Sequence, residues 1–246
     1  AAIQQRTGQR RLGFPAGPTG LMHRFFQGYL YPSFTGGVVT TFRSDAAEAM
    51  WTKFRELWRS VHPNSTNYGF MQEPLTAGEV WIAFDHVARL IDALNAKPDE
   101  FVAFPAPAGP KGRGFMPVVA GLAIPQGAPD AAGAAKLIEY LTRPEVQVRT
   151  LRATAFFPVV QAEMPSDLEP GLRLAADAIG KMSGSPDALV SLLPVGLDQK
   201  GGEFDKVFMD TFQRIVLRGE APRAALDRQA EALKRIMAET GMEIRG

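Results

Sequence analysis

Val80-Trp81-Ile82-Ala83-Phe84-Asp85-His86 is the stretch on which the fold turns. Five apolar residues run without a polar break, and two polar residues follow at once. A strand with one wet face alternates; a strand covered on both faces does not. Residues 80–84 are therefore predicted to form a strand covered on both faces. Open α/β sheets hold ligands beyond the carboxyl ends of their strands. That makes Asp85 and His86 candidate ligand contacts, with a turn-capping role for Asp85 as the alternative. Trp81, in mid-strand, reads as core, because large aromatic side chains usually fill interiors, with a place facing a ligand cleft as the alternative.

Upstream of this stretch, Leu12–Phe14 is a short strand stopped by Pro15, Gly17 and Pro18. Thr19 to Tyr31 is an aromatic helix, broken by Pro32, Gly36 and Gly37. Ser44 and Asp45 offer an N-cap for a helix over 45–61, on which Ala47, Met50, Trp51, Phe54, Trp58 and Val61 form one apolar stripe. Trp51 and Trp58 on that stripe read as core. Downstream, strands are predicted at 101–104 and 118–124, the second with Gly121 inside it. The stiff, turn-rich loop 105–112 lies between them. A helix over 130–142 follows, with Thr142 as cap and Pro144 in the first turn of the next. Phe204, Val207, Phe208, Thr211, Phe212 and Ile215 make another stripe. Leu226, Ala230, Leu233 and Ile236 mark a terminal helix over 223–238. Strands separated by helices give an α/β fold with a long helical tail.

The 246 residues are 46% hydrophobic, ample for a sizeable core. Lys and Arg total 27 against 26 Asp and Glu, and the net charge of +1 gives no field to gather nucleic acid or an anionic membrane. The absence of cysteine excludes disulfides, thiolate metal sites and cysteine nucleophiles. No apolar stretch approaches the roughly 20 residues that span a bilayer. Residues 1–8 read as the last turns of a helix running into a glycine stop, which raises the expectation of polypeptide upstream of residue 1. His23, His62 and His86 have no partner at the spacing of a helical metal site. Neither a nucleophile elbow nor a phosphate-binding glycine loop is present. No catalytic residue, metal or cofactor is predicted. A cleft hydrolase is the competing class, since converging carboxylates leave no mark in a sequence.

Several segments carry a resemblance. Leu75 to Phe84 is similar to an F-x-x-G-x-A-M segment, and Phe104 to Gly112 to a P-x-P-x-G-P-x-G crossover. Gly121 to Pro125 with Ala131 to Pro144 is similar to a G-x-x-I block followed by a helix ending Y-L-T-x-P-E. Thr154 to Val159 resembles T-G-x-x-P-V, and Gly219 to Ile236 a closing amphipathic helix. In this order the segments resemble family 1 of the extracellular solute-binding proteins of ABC importers, the group of carbohydrate-binding proteins related to maltose-binding protein. Trp81, in place of a small strand residue, and Ala155, in place of a glycine, are departures.

The resemblance implies a periplasmic-binding-protein-like type II fold, two α/β lobes joined by crossovers around a ligand cleft. Residues 1–101 and 160–246 would form the second lobe. Residues 102–159 would supply crossovers and part of the first lobe, whose remainder is expected upstream or replaced by self-association. It implies a receptor that captures a sugar, oligosaccharide or polyol and hands it to ABC permease subunits. Its place would be the periplasm, or the outer membrane face through a lipid anchor. Ring faces stack on sugar CH faces, and amides and carboxylates bond hydroxyls. Gln27, Tyr29 and Tyr31 fall where the family contacts its ligand; both tyrosines equally suit packing with a wet hydroxyl. Phe157 lies at the second crossover as a stacking candidate. Phe204 is either a cleft aromatic or the first residue of its apolar stripe. Gly121 lets a backbone approach a ligand or a neighbouring element pack closely. Lys111 and Arg113 read as solvated loop charges unless the ligand is an anion, such as a phosphorylated polyol. A polyamine would call for paired carboxylates instead.

Overall fold

The computed structural model describes residues 2–118 and 121–241. Helix α1 (Ala2–Thr7) stops at Gly8, whose φ of +70° is the left-handed stop expected there. Strand β1 (Leu12–Gly13) enters the Pro15–Gly20 loop. From Met22 one helical run reaches Thr35: α2 (Met22–Phe25), a π turn (Phe26–Leu30) and α3 (Tyr31–Thr35). Pro32 does not break it. The wide turn, closed by the Tyr31 N–H on the Phe26 carbonyl, carries the chain to a proline that has no N–H to place. Gly36, at φ +83°, ends the run.

Helix α4 (Asp45–Trp58) is capped as predicted: the Ser44 Oγ accepts the Ala47 N–H at 3.1 Å. Next come α5 (Gln72–Thr76), β2 (Ile82–Ala83), α6 (Ile91–Ala96), β3 (Arg113–Phe115), α7 (Ala131–Leu141) and α8 (Pro144–Thr154). The chain continues through α9 (Pro170–Ser183), β4 (Ala188–Val190), α10 (Gly201–Phe212) with a second π turn (Gln213–Leu217), and α11 (Pro222–Glu239). Thr142 closes α7, its hydroxyl donating to the Ile138 carbonyl at 2.9 Å; it does not cap α8, which starts after Arg143 with Pro144 in its first turn.

β1 and β2 pair in parallel, Leu12 opposite Ile82 and Gly13 opposite Ala83, and Leu12 also bridges in parallel to Val61. The strand predicted over 80–84 is thus present but short, and it is not covered on both faces. Trp81 is 54% exposed instead of core, and Ile82, pointing to the opposite face, is 39% exposed, so neither face is fully covered. The cover Trp81 does have is the Arg11 guanidinium, 5.1 Å from the ring centre and tied to the Gly78 carbonyl at 2.6 Å.

The strands predicted at 101–104 and 118–124 do not form. Residues 101–108, Val118 and 121–124 are irregular, and residues 119 and 120 lie outside the described residues. Val102 is 80% exposed: among the described residues no strand pairs with this stretch, and Pro105, Pro107 and Pro110 withhold donors from the segment that follows. A strand forms instead at β3, in parallel with β4, Arg113 opposite Ala188 and Phe115 opposite Val190. Buried Ser33 anchors it to α3, its hydroxyl accepting the Gly114 N–H at 2.8 Å and its carbonyl the Lys111 N–H at 2.9 Å. Gly109 is required here: a Cβ would lie 2.4 Å from the Ser33 carbonyl oxygen.

The main core is aromatic. Phe26, Tyr31, Phe42, Trp51, Phe54, Phe208 and Phe212 are buried together, with leucines and alanines of α11 beneath. Trp51 Nε1 donates to the Tyr31 hydroxyl at 3.0 Å, so the polar tips of both rings are satisfied. A smaller cluster joins Ile91, Leu151, Leu168, Leu172 and Ala175, with Val87 and Phe157 at its edge. Helix α7 contributes no buried residue, and Leu137 and Tyr140 on it are exposed, as are Phe104, Leu122 and Val159.

Candidate ligand-binding site

Three parallel chain segments, at Val61, β1 and β2, all deliver their loops to the same end of the small sheet. Hydrogen bonds knit those loops together. The Gly17 N–H donates to the Tyr68 carbonyl at 2.9 Å and Ala16 to Ser65 at 3.1 Å. Asp85 clamps the second loop to the third: Oδ2 accepts the Met71 N–H at 2.9 Å, and Oδ1 accepts the N–H of His86 at 2.7 Å. Burial raises its carboxyl above the ordinary value, against the pull of those two N–H groups and Arg89. Asp85 therefore clamps the start of α5, which precedes it, and does not cap the helix that follows, as the sequence alternative had it.

Arg89 donates to the Gly69 carbonyl at 3.0 Å and lies over the Phe70 ring at 4.2 Å. At the head of α2, Arg24 donates to Gln27 Oε1 at 3.2 Å, and Gln27 Nε2 donates to Asp205 Oδ1 of α10 at 2.8 Å. Asp205 Oδ2 also faces His23 Nε2 at 3.5 Å and Arg24 Nη2 at 3.7 Å. Burial lowers the pKa of both His23 and His86; Arg24 and Arg89 depress both further, while Asp205 raises His23. The imidazoles are thus held neutral at neutral pH, and each offers one donor and one acceptor nitrogen.

Beside this polar group stands an aromatic wall. Phe84 packs edge-on against Phe25 at 4.7 Å and lies 6.1 Å from Tyr29. Tyr29 is half-buried, donates its hydroxyl to the Pro107 carbonyl at 2.9 Å, and has its pKa raised by burial.

Of the residues singled out in the sequence, the structure brings Tyr29, Asp85 and His86 into one neighbourhood. Phe157 sits at the edge of the smaller apolar cluster with Val87, next in sequence to His86. Gln27, Tyr31 and Phe204 are fully buried and present no surface to a ligand. The amide of Gln27 is spent on Arg24 and Asp205, the Tyr31 ring stacks on Phe42, and Phe204 packs edge-on against Phe208. Gly121 is exposed, with open space where a side chain would project. Sequence reasoning missed His23, Arg24, Phe70, Arg89 and Asp205. Position after a β-strand flags only the residues next to it, and Gln27 and Asp205 are 178 residues apart. Two recesses open elsewhere: one of about 240 Å³ between α10 and α11, one of about 440 Å³ between α5 and α6.

Fixed donors, imidazoles and ring faces are gathered at the strand ends, and no metal-holding cluster is found among the described residues. The chain belongs to the bacterial extracellular solute-binding proteins, whose family model matches residues 1–168. Among curated proteins none matches significantly. Solved structures share the fold at low identity. UgpB from Mycobacterium tuberculosis, in complex with glycerophosphocholine, is 18% identical with a TM-score of 0.66, over 95% of this chain and 58% of that one. Maltose-bound T. maritima MalE3 is 20% identical with a TM-score of 0.65, over 96% and 62%. A putative oligosaccharide periplasmic-binding protein from Synechococcus sp. MITs9220 is 19% identical with a TM-score of 0.62, over 97% and 64%. The fold class expected from the sequence is the one observed, and the chain spans less than two thirds of the length of each of these neighbours.

Proposed function

We propose that this chain provides the greater part of a solute receptor for an ABC importer, binding a small polar solute of the sugar or polyol kind and presenting it to permease subunits. The observation that carries the reading is the joining of an aromatic wall, Tyr29 and Phe84, to the donors of Arg24, His86 and Arg89 at the ends of parallel strands. A sugar needs both: apolar CH faces stack on rings, and hydroxyls take fixed donors and acceptors. Family membership and neighbours bound to maltose and to glycerophosphocholine support a binding role over a catalytic one.

In this reading residues 1–101 and 160–246 form the second lobe, and residues 102–159 are crossovers with a piece of the first. The exposed Val102, Phe104, Leu122 and Leu137 are then the surface that the rest of a two-lobed fold covers, supplied by further polypeptide in preference to self-association. The family's description, extracellular, supports a place outside the cytoplasm, which we read as the periplasm or an anchored position on the outside of the membrane.

A thermal-shift panel of sugars and polyols on the full-length protein tests this. A true ligand raises stability by mass action, by about 2.7 kcal/mol at one hundred times its Kd. A dose-dependent rise with at least one compound is expected. Conversion of a glycoside to products, lost on replacing one carboxylate, would contradict it.

A further inference from the structure

Gln27 is fully buried, yet its amide is committed to two charged side chains, Arg24 and Asp205. Apolar residues in such a place usually stabilise a fold at least as well as a charged network does. What the network achieves is a guanidinium held in one position. Arg24 is braced by Gln27 at 3.2 Å and Asp205 at 3.7 Å. Arg89 is braced independently, by the Gly69 carbonyl at 3.0 Å and the Phe70 ring. The two elements meet where the Phe25 ring, next to Arg24, packs 4.7 Å from that of Phe84, and the Arg89 N–H returns to the His86 carbonyl at 2.9 Å; both guanidiniums also depress His23 and His86.

The local carboxylates, Asp85 and Asp205, balance the two guanidiniums in charge but not in hydrogen bonds. Asp85 is engaged by the N–H groups of Met71 and His86, and Asp205 by Gln27, His23 and Arg24. Each guanidinium carries five N–H donors. The hydrogen bonds named use one on Arg24 and one on Arg89, with Asp205 adding an ion pair to Arg24 at 3.7 Å. The surplus is therefore of fixed, charged donors on two different elements, the head of α2 and the turn after β2. Donors arriving from separate elements suit the three oxygens of a tetrahedral group better than the planar pair of a carboxylate.

We infer that the solute carries a phosphoryl group, taken between Arg24 and Arg89, with its hydroxylated body against Tyr29 and Phe84. This rests on the receptor reading above and narrows it to phosphorylated small polyols or sugars. In it Arg24 and Arg89 are contact residues, and Gln27 and Asp205 are positioning residues for Arg24.

Isothermal titration of the full-length protein with matched pairs tests it: glycerol 3-phosphate against glycerol, and glucose 6-phosphate against glucose, with gluconate as the carboxylate arm. At least one phosphorylated member should bind about tenfold or more tighter than its neutral partner and than gluconate. That preference should shrink as salt rises, because charge–charge attraction is screened. Arg89→Gln and Arg24→Gln should each bring the ratio toward one, while Arg89→Lys and Arg24→Lys, which keep the charge, retain part of it and control for folding. Gln27→Leu should lower phosphoryl affinity with little change for the neutral partner, an effect that a purely structural amide would not produce. Equal affinity within each pair overturns the inference and leaves the receptor reading standing. Binding of none of the phosphorylated probes overturns it as well, and any unmodified solute that co-purifies then upholds the receptor reading independently.

Discussion

Replacing Trp51 with alanine separates core from binding surface. Trp51 is fully buried among Phe26, Tyr31 and Phe54, and its indole N–H donates to the Tyr31 hydroxyl at 3.0 Å. Truncating a buried aromatic side chain costs about 3–5 kcal/mol through lost transfer energy and the cavity left behind. The Tyr31 hydroxyl, itself fully buried, also loses a donor while keeping its 3.4 Å contact with the Phe42 carbonyl. That adds about 1 kcal/mol. The total, about 4–6 kcal/mol, is a large share of the 5–15 kcal/mol that ordinarily holds a domain together. Trp51→Phe keeps most of the ring and should cost roughly 1–3 kcal/mol. Urea unfolding followed by circular dichroism reads both as shifts in midpoint. Where Trp51→Phe remains folded, its solute affinity should match that of the parent, because Trp51 is fully buried and its ring packs on Phe26, Tyr31 and Phe54. A Trp51→Ala protein of undiminished stability that no longer binds solute would refute this division.

Ser33→Ala should cost about 1–3 kcal/mol in the same assay, since it orphans the buried N–H of Gly114; a neutral result would show that β3 is anchored otherwise. Tyr29→Ala should weaken solute binding by about 0.5–1.5 kcal/mol in titration calorimetry while moving the urea midpoint far less than Trp51→Ala. His23 and His86 both have folded pKa values below the ordinary 6.5, so the unfolded chain binds more protons and their contribution to stability is complete above pH 6.5 and lost as pH falls below it. A His23→Gln, His86→Gln double variant should therefore lose stability less steeply than the parent below pH 6.5 in pH-dependent denaturation.

The helices are legible in the sequence because their signals are local. The Ser44 cap, the 47–50–51–54 stripe and the Pro222 start all lie within a turn or two of the elements they define. The strands are less so. Apolar runs at 101–104 and 118–124 carry the composition of strands, but a strand exists only where another pairs with it. β3 has the unremarkable sequence Arg-Gly-Phe and forms because Ser33 and Gly109, from other parts of the chain, hold it in place. Trp81 misleads for a related reason: an apolar run does not say whether its strand is an edge. At the candidate site, Asp85 and His86 are visible because they follow the apolar run 80–84 directly. The Arg24–Gln27–Asp205 network is not, since its members come from α2, its π turn and α10. Aromatic type alone cannot separate half-buried Tyr29 from fully buried Tyr31, two residues along the same helical run.

Native mass spectrometry of the protein purified without denaturation measures the central claim most directly, because a receptor retains its solute unchanged. The account predicts a small polar adduct, released intact on unfolding and absent from a Tyr29→Ala, Arg89→Gln variant that remains folded. A protein that carries no adduct, binds none of the sugars, polyols or their phosphates offered, and instead turns one of them over would contradict it.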